Sequence, residues 1–349
     1  MNDGPGGAPR VSVVVRTKER PQLLAEALSS LRAQTTDDFE TIVVNDGGPL
    51  PASLLSPAPG RRLAVVVPPP PGGRTRALNA GLEAASGRYV AYLDDDDLYR
   101  PDHLATLVAF LDGVDGYGAA FTSVEQVGQT LGADGAFHDV GTRFVFDRPF
   151  DPARIVFKND VPLIGLMHRR ELAAAVGGFD PAFDLYEDWD FLIRLSRVTR
   201  LHHLPVVTAV YRIRDDGSNA TMAAPWLGER AQAARHALFA KHAALRTPEF
   251  LMSFIDGLNR EAWTARGEIA RLSDDLLLRE RERSEALERA GRLEADFAAV
   301  REDTARARDR ANALQDERDA LAATLQEVHR SLWWRLATPW WKLKDRLSQ

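Results

Sequence analysis

Cysteine is missing from all 349 residues, which excludes disulfides and thiolate metal sites and suits a reducing compartment. A surplus of positive charge is missing as well. The 44 lysines and arginines stand against 50 aspartates and glutamates, for a formal net charge of −6. Nothing is left over to neutralise a phosphate backbone, so nucleic acid is not an expected partner. No apolar run approaches the roughly 20 residues that cross a bilayer, and the opening MNDGPGGAPR lacks the apolar core of a secretory leader. A cytoplasmic protein is expected, free or held peripherally on the inner face of the plasma membrane. Proline is absent between Ile269 and Leu332, so nothing there interrupts a helix.

What is present divides the chain in two. Up to about residue 215, apolar runs alternate with helical patterns. VSVVV (Val11 to Val15) reads as a strand buried on both faces. Pro21 suits a first helical turn, and Leu23, Leu24, Ala27, Leu28 and Leu31 form one apolar stripe. Strand-like ETIVVNDGG and RRLAVVVPPPPGG, helical RTRALNAGLEAASG and a further strand follow. This order predicts an α/β fold, an open and mostly parallel sheet with helices on its faces. Ligands of such sheets bind beyond the carboxyl ends of the strands, and RTKER, NDGG and DDDD all fall at such ends.

From Ile269 to Leu332 a heptad register runs through the a and d positions, broken only by Arg279, Arg283, Thr304 and Arg318. It predicts a coiled coil, a homodimer by default. The final stretch, SLWWRLATPWWKLKDRL, interleaves Trp333, Trp334, Trp340 and Trp341 with basic residues. That composition suits an anionic membrane surface, or a docking face for a protein. The expected boundaries are a disordered segment over 1–10, the α/β domain over 11–245, a helical linker over 246–268, the coil over 269–332 and the amphipathic tail over 333–349.

The acidic clusters carry the chemistry. In VAYLDDDDLYRP a strand runs into Asp94, Asp95, Asp96 and Asp97. On an extended chain Asp94 and Asp96 would share a face roughly 6.6 Å apart. Exposed, they make a solvated turn; recessed, they need a cation, and carboxylate oxygen suits Mg²⁺ or Mn²⁺ carrying a diphosphate. Asp46 can accept hydrogen bonds from a base or ribose, or simply form an Asn-Asp-Gly turn. Arg74 and Arg76, after the glycine pair, can meet phosphate or solvent. In FDLYEDWDFLIRLS, Glu187 and Asp188 open a helix, where its dipole favours them; either can also serve as a general base.

Three stretches, VSVVVRTKERPQLLAEALSSLRAQTTDDFETIVVNDGG, RTRALNAGLEAASGRYVAYLDDDDLYRPDHL and GGFDPAFDLYEDWDFLIRL, in that order resemble the signatures of the inverting family 2 glycosyltransferases of GT-A fold, over about residues 10–215. The resemblance implies a GT-A sheet followed by the coil, and transfer of a sugar, a hexose, from a nucleotide-diphosphate sugar to an acceptor hydroxyl. It implies Asp188 as catalytic base, with Glu187 as a secondary candidate. It places Thr17, Glu19, Asp46, Arg76, Asp94 and Asp95 on the nucleotide sugar. Asp96 and Asp94 would hold Mg²⁺ or Mn²⁺, with Asp97 extending the motif. UDP is the expected base carrier, and the acceptor is expected to be a glycan or a lipid-linked intermediate of surface polysaccharide, O-antigen or cell wall. The sequence departs from the family at RTKER, where many members carry a Thr-Tyr-Asn type sequence. It has no Gln-x-x-Arg-Trp motif, so a processive synthase is not expected. Two other readings remain: a coiled-coil scaffold with an inactive transferase-like domain, and a sugar-nucleotide pyrophosphorylase.

Overall fold

The β-branched runs become the middle of a sheet. In the computed structural model, which describes residues 7–56, 62–69, 72–134, 137–216 and 228–330, β1 (Val11–Thr17) lies between β2 (Phe39–Asn45) and β4 (Tyr89–Asp94), parallel to both. β3 (Arg62–Val66) extends this parallel half beyond β2. Alternate side chains of β1 enter two separate cores. Val11, Val13 and Val15 pack under α1 (Pro21–Arg32) and α3 (His103–Gly113), whereas Val14 packs under α2 (Arg74–Ala84) and α5 (Glu187–Leu195). A strand covered on both sides has no solvent face on which to place polar residues, which is why VSVVV reads as a continuous run.

The full sheet runs β3-β2-β1-β4-β8-β6-β9-β5, with β7 (Phe137–Phe146) paired to β6. β8 (Leu166–Arg169) enters antiparallel between β4 and β6 (Tyr117–Leu131); β9 (Arg200–Arg214) runs parallel to β6, and the two-residue β5 (Leu98–Tyr99) pairs antiparallel with β9. The short α4 (Arg170–Ala175) follows β8, and α6 (Glu229–Lys241) packs Leu238 into the α5 side of the core.

The second unit spans Arg260–Gln349, of which residues to 330 are described. Its described part continues α7 (Pro248–Arg330), and residues 248–268 of the segment expected as a helical linker fall within the same helix. No described helix is long and apolar enough to cross a membrane. Residues 1–6 (most of the segment expected to be disordered), Leu332 and the Trp-rich tail lie outside the described residues.

Candidate active site

Parallel register brings three strand ends to one level. Thr17 at the end of β1 lies opposite Asn45 of β2, and Arg16 lies opposite Asp94 of β4. The three polar clusters thus meet along one rim. They line a cavity of about 930 Å³ together with Gly73, Arg74, residues 158–164 and the first turn of α5.

The four aspartates do not continue the strand. β4 ends at Asp94 and the chain turns at once, the Asp97 N–H donating to the Asp94 carbonyl at 3.2 Å. The extended spacing expected for Asp94 and Asp96 gives way to a tighter cluster. Asp94, Asp96 and Asp97 each present a carboxylate oxygen, all within 4.8 Å of one another. Arg16 holds Asp94 at 2.7 Å, while Arg20 and Arg214 reach Asp96 at 3.2 and 2.8 Å. Asp97 accepts the Arg212 backbone N–H at 2.9 Å, and Asp95 is turned to β1, accepting from the Thr17 hydroxyl at 2.8 Å.

Burial works to raise Asp94, but the guanidiniums of Arg16 and Arg74 outweigh it and hold the carboxyl below its ordinary range. Asp95 is pushed up to about 6 by burial and by the charge of Asp96. Asp97 is raised well above its ordinary value by burial, with Asp96 and Asp94 adding to it. A recessed, oxygen-only donor set of three convergent carboxylates fits a hard divalent cation such as Mg²⁺ or Mn²⁺.

The second acidic pair reaches the cavity through an unusual turn. Tyr186 has φ 65°, a left-handed conformation that a bulky residue rarely takes, and it delivers Glu187 and Asp188 to the first turn of α5. Arg74, the first residue of α2, joins the two clusters: its Nε donates to Glu187 at 2.7 Å and its guanidinium lies 3.9 Å from Asp94. Burial alone would lower this guanidinium, and Glu187 and Asp94 reverse that and raise it. One Asp188 oxygen accepts its neighbour Trp189's N–H at 2.8 Å, and the other accepts Asn159 Nδ2 at 3.3 Å. Burial and the charge of Glu187, opposed by Arg74, push Asp188 up to about 7. Behind it, the fully buried Asp190 meets Arg194 at 2.6 Å, Lys241 at 2.7 Å and His242 at 2.8 Å, which pins α5 to the end of α6.

Of the residues expected from sequence, Thr17, Glu19, Asp46, Asp94, Asp95, Asp96, Asp97, Glu187 and Asp188 all lie at this cavity or, for Thr17 and Asp95, brace each other along its edge. Asp46 accepts the Gly73 N–H at 2.9 Å and sits 3.8 Å from Lys18 Nζ. Arg76 stands apart from the others. It is exposed and does not line the cavity, because two residues along a helix turn it about 200° from Arg74. Sequence reading missed Asn159, Arg16, Arg20 and Arg214 altogether. Arg16 and Arg20 belong to the RTKER cluster already placed at a strand end, which was the available signal; Asn159 sits in a loop without periodicity and gave none.

Comparison with known proteins bears on the family and the fold. Residues 12–146 match the family model described as Glycosyl transferase family 2. The chain is 30% identical over 213 residues to the uncharacterized glycosyltransferase YwdF of Bacillus subtilis, spanning 60% of this chain and 76% of that one. It is 29% identical over 214 residues to a PGL/p-HBAD biosynthesis glycosyltransferase of Mycobacterium tuberculosis, spanning 58% and 77%. Among solved structures, S. aureus TarS in complex with UDP-GlcNAc shares the fold with a TM-score of 0.54 at 18% identity, over 70% of this chain and 71% of that one.

Proposed function

This chain belongs to glycosyl transferase family 2, and from that premise we propose that its cavity transfers a sugar from a nucleoside-diphosphate sugar to an acceptor hydroxyl with inversion at the anomeric carbon. The observation that carries the reading is the meeting, in one cavity, of the acidic turn after β4 with a second carboxylate pair on α5, joined by Arg74. Asp188, pushed up to about 7, is matched to accept a proton near neutral pH. It takes the acceptor's proton as that oxygen bonds to the anomeric carbon and the bond to the diphosphate breaks. A single displacement from the opposite side inverts the configuration.

Asp96, with Asp94 and with Asp97 beside them, would hold Mg²⁺ or Mn²⁺, which when bound stabilises negative charge on the departing diphosphate. Arg74 adds a fixed positive charge next to the same turn. Asp46 and Glu19 are the contacts for the nucleoside, and the Thr17–Asp95 bond keeps their loop on the strand end. A UDP-sugar is the first donor to test, since TarS, whose fold this chain shares, was crystallised with UDP-GlcNAc. The acceptor is a glycan or lipid-linked intermediate of surface polysaccharide assembly, and α7 supplies a coiled coil for homodimerisation. The test is a thermal-shift panel of UDP-, GDP- and dTDP-sugars with and without Mn²⁺, followed by NMR of the product's anomeric proton. A metal-dependent shift with one donor and an inverted linkage are expected; no donor response, or retention, would refute the assignment. For the tail, the expected membrane contact is checked by co-sedimentation with anionic vesicles. Deleting residues 333–349 should abolish it, and unchanged binding would assign the tail to a protein partner.

A further inference from the structure

We propose that the apolar seam of α7 docks a second copy of the same helix, parallel and in register, over a longer span than the 269–332 coil. This deepens the coiled-coil reading given above and rests on it. With Ile269 at position a and Leu272 at d, the same frame continues upstream inside the helix: Ile255 and Ala262 fall at a, Leu251, Leu258 and Ala265 at d. From Leu251 to Leu325 the seam covers about ten heptads. Its large members stand open in the single chain, with Leu272 63%, Leu293 61% and Phe297 71% exposed. Apolar side chains of this size favour removal from water, so the seam calls for a cover.

Charge identifies the cover. In a parallel in-register pair, a residue at g faces the e residue five positions later on the partner helix. Glu261 then meets Arg266, Arg289 meets Glu294, Asp296 meets Arg301 and Asp303 meets Arg308, each contact made twice by symmetry. Asp275 opposite Glu280 is the like-charged exception among the described residues. An antiparallel pair would instead set g against g. Every g position from Glu261 to Glu317 is acidic except Arg289 and Arg310, so that arrangement sets acid mostly against acid.

The interruptions of the seam fit the same pairing. Parallel, in-register packing flanks each a layer with the partner's g residues and each d layer with the partner's e residues. Arg283 and Arg318, at a, follow Glu282 and Glu317 at g; Arg279, at d, precedes Glu280 at e. Each seam arginine therefore faces an acid on the other helix. Their stems can lie along the seam with the charged heads at its rim, which stays open in a two-stranded coil and closes as strands are added. In the single chain Arg279 reaches back to Asp275 at 3.1 Å and Arg318 to Asp319 at 2.7 Å. Both contacts are exposed, and pairs of that kind stabilise little, so they exchange readily.

The absence of cysteine makes the test clean. Full-length Leu258→Cys, in the upstream extension, and Leu321→Cys, both at d and near opposite ends, are oxidised separately and run on non-reducing gels, with outward-facing Asp274→Cys as control; light scattering gives the mass of the unmodified chain. A dimer in which both d variants cross-link efficiently and the control does not is the expected result. A monomeric mass would overturn the coil reading together with this inference. A dimer in which either d variant fails to cross-link would leave the coil reading standing and overturn parallel register. A trimeric or larger mass would overturn the two-stranded assignment.

Discussion

Asp188 and Asn159 divide one task between them. Asn159 Oδ1 accepts the Val161 N–H at 2.9 Å, so Nδ2 is the side-chain atom left to face Asp188. That orientation makes it a donor to the charged carboxylate, which favours ionisation. A base works only when deprotonated, so transfer is expected to fall as pH drops through about 7, the value to which burial and Glu187 push Asp188. Asn159→Ala removes one hydrogen bond to the charged form, about 1 kcal/mol, and is expected to move the acid limb of kcat/KM upward by about half to one pH unit. A lowered rate with an unmoved limb would reduce Asn159 to packing. Asp188 was legible in the sequence as a candidate base; its contact with Asn159 was not. The two residues are far apart along the chain, and only the turn before β8 brings the loop to the helix.

At the scale of the element, α2 separates function from stability through two glycines. A Cβ on Gly72, just before the helix, would lie 2.0 Å from Asp46 Oδ1, whereas one on Gly81 would lie 2.3 Å from Val14 Cγ1 in the core. Gly81→Ala drives a methyl into packed strand residues and is expected to cost about 1–3 kcal/mol, read as a lowered Tm. Gly72→Ala instead displaces the Asp46 carboxylate from the Gly73 N–H. It is expected to raise the donor KM by about tenfold, about 1.4 kcal/mol, with Tm nearly unchanged; the reverse pattern would separate Asp46 from the donor. The strands and helices around these glycines were legible because VSVVV and ETIVVN carry the signature of double burial. The turn at Asp95 was not. An extended-strand argument carried the strand past Asp94, where the chain in fact turns, since the apolar pattern ends at Leu93 and periodicity is silent beyond it.

Across the whole molecule, the parallel half of the sheet sets the depth of the site and a distant helix supplies the carboxylate proposed as its base. Glu187 follows Arg74 by 113 positions, yet the two are hydrogen-bonded. Which acidic cluster met which was therefore a matter of topology, beyond the reach of local pattern; motif order alone pointed to their meeting. The most direct measurement of the central claim is a paired one on Asp188→Asn: donor affinity by calorimetry, and sugar transfer in a single turnover with saturating donor. Donor affinity within about threefold of the unmodified chain, with transfer slowed by 10²-fold or more, is the predicted result. Undiminished transfer at intact donor affinity would contradict it, and would remove α5 from the chemistry.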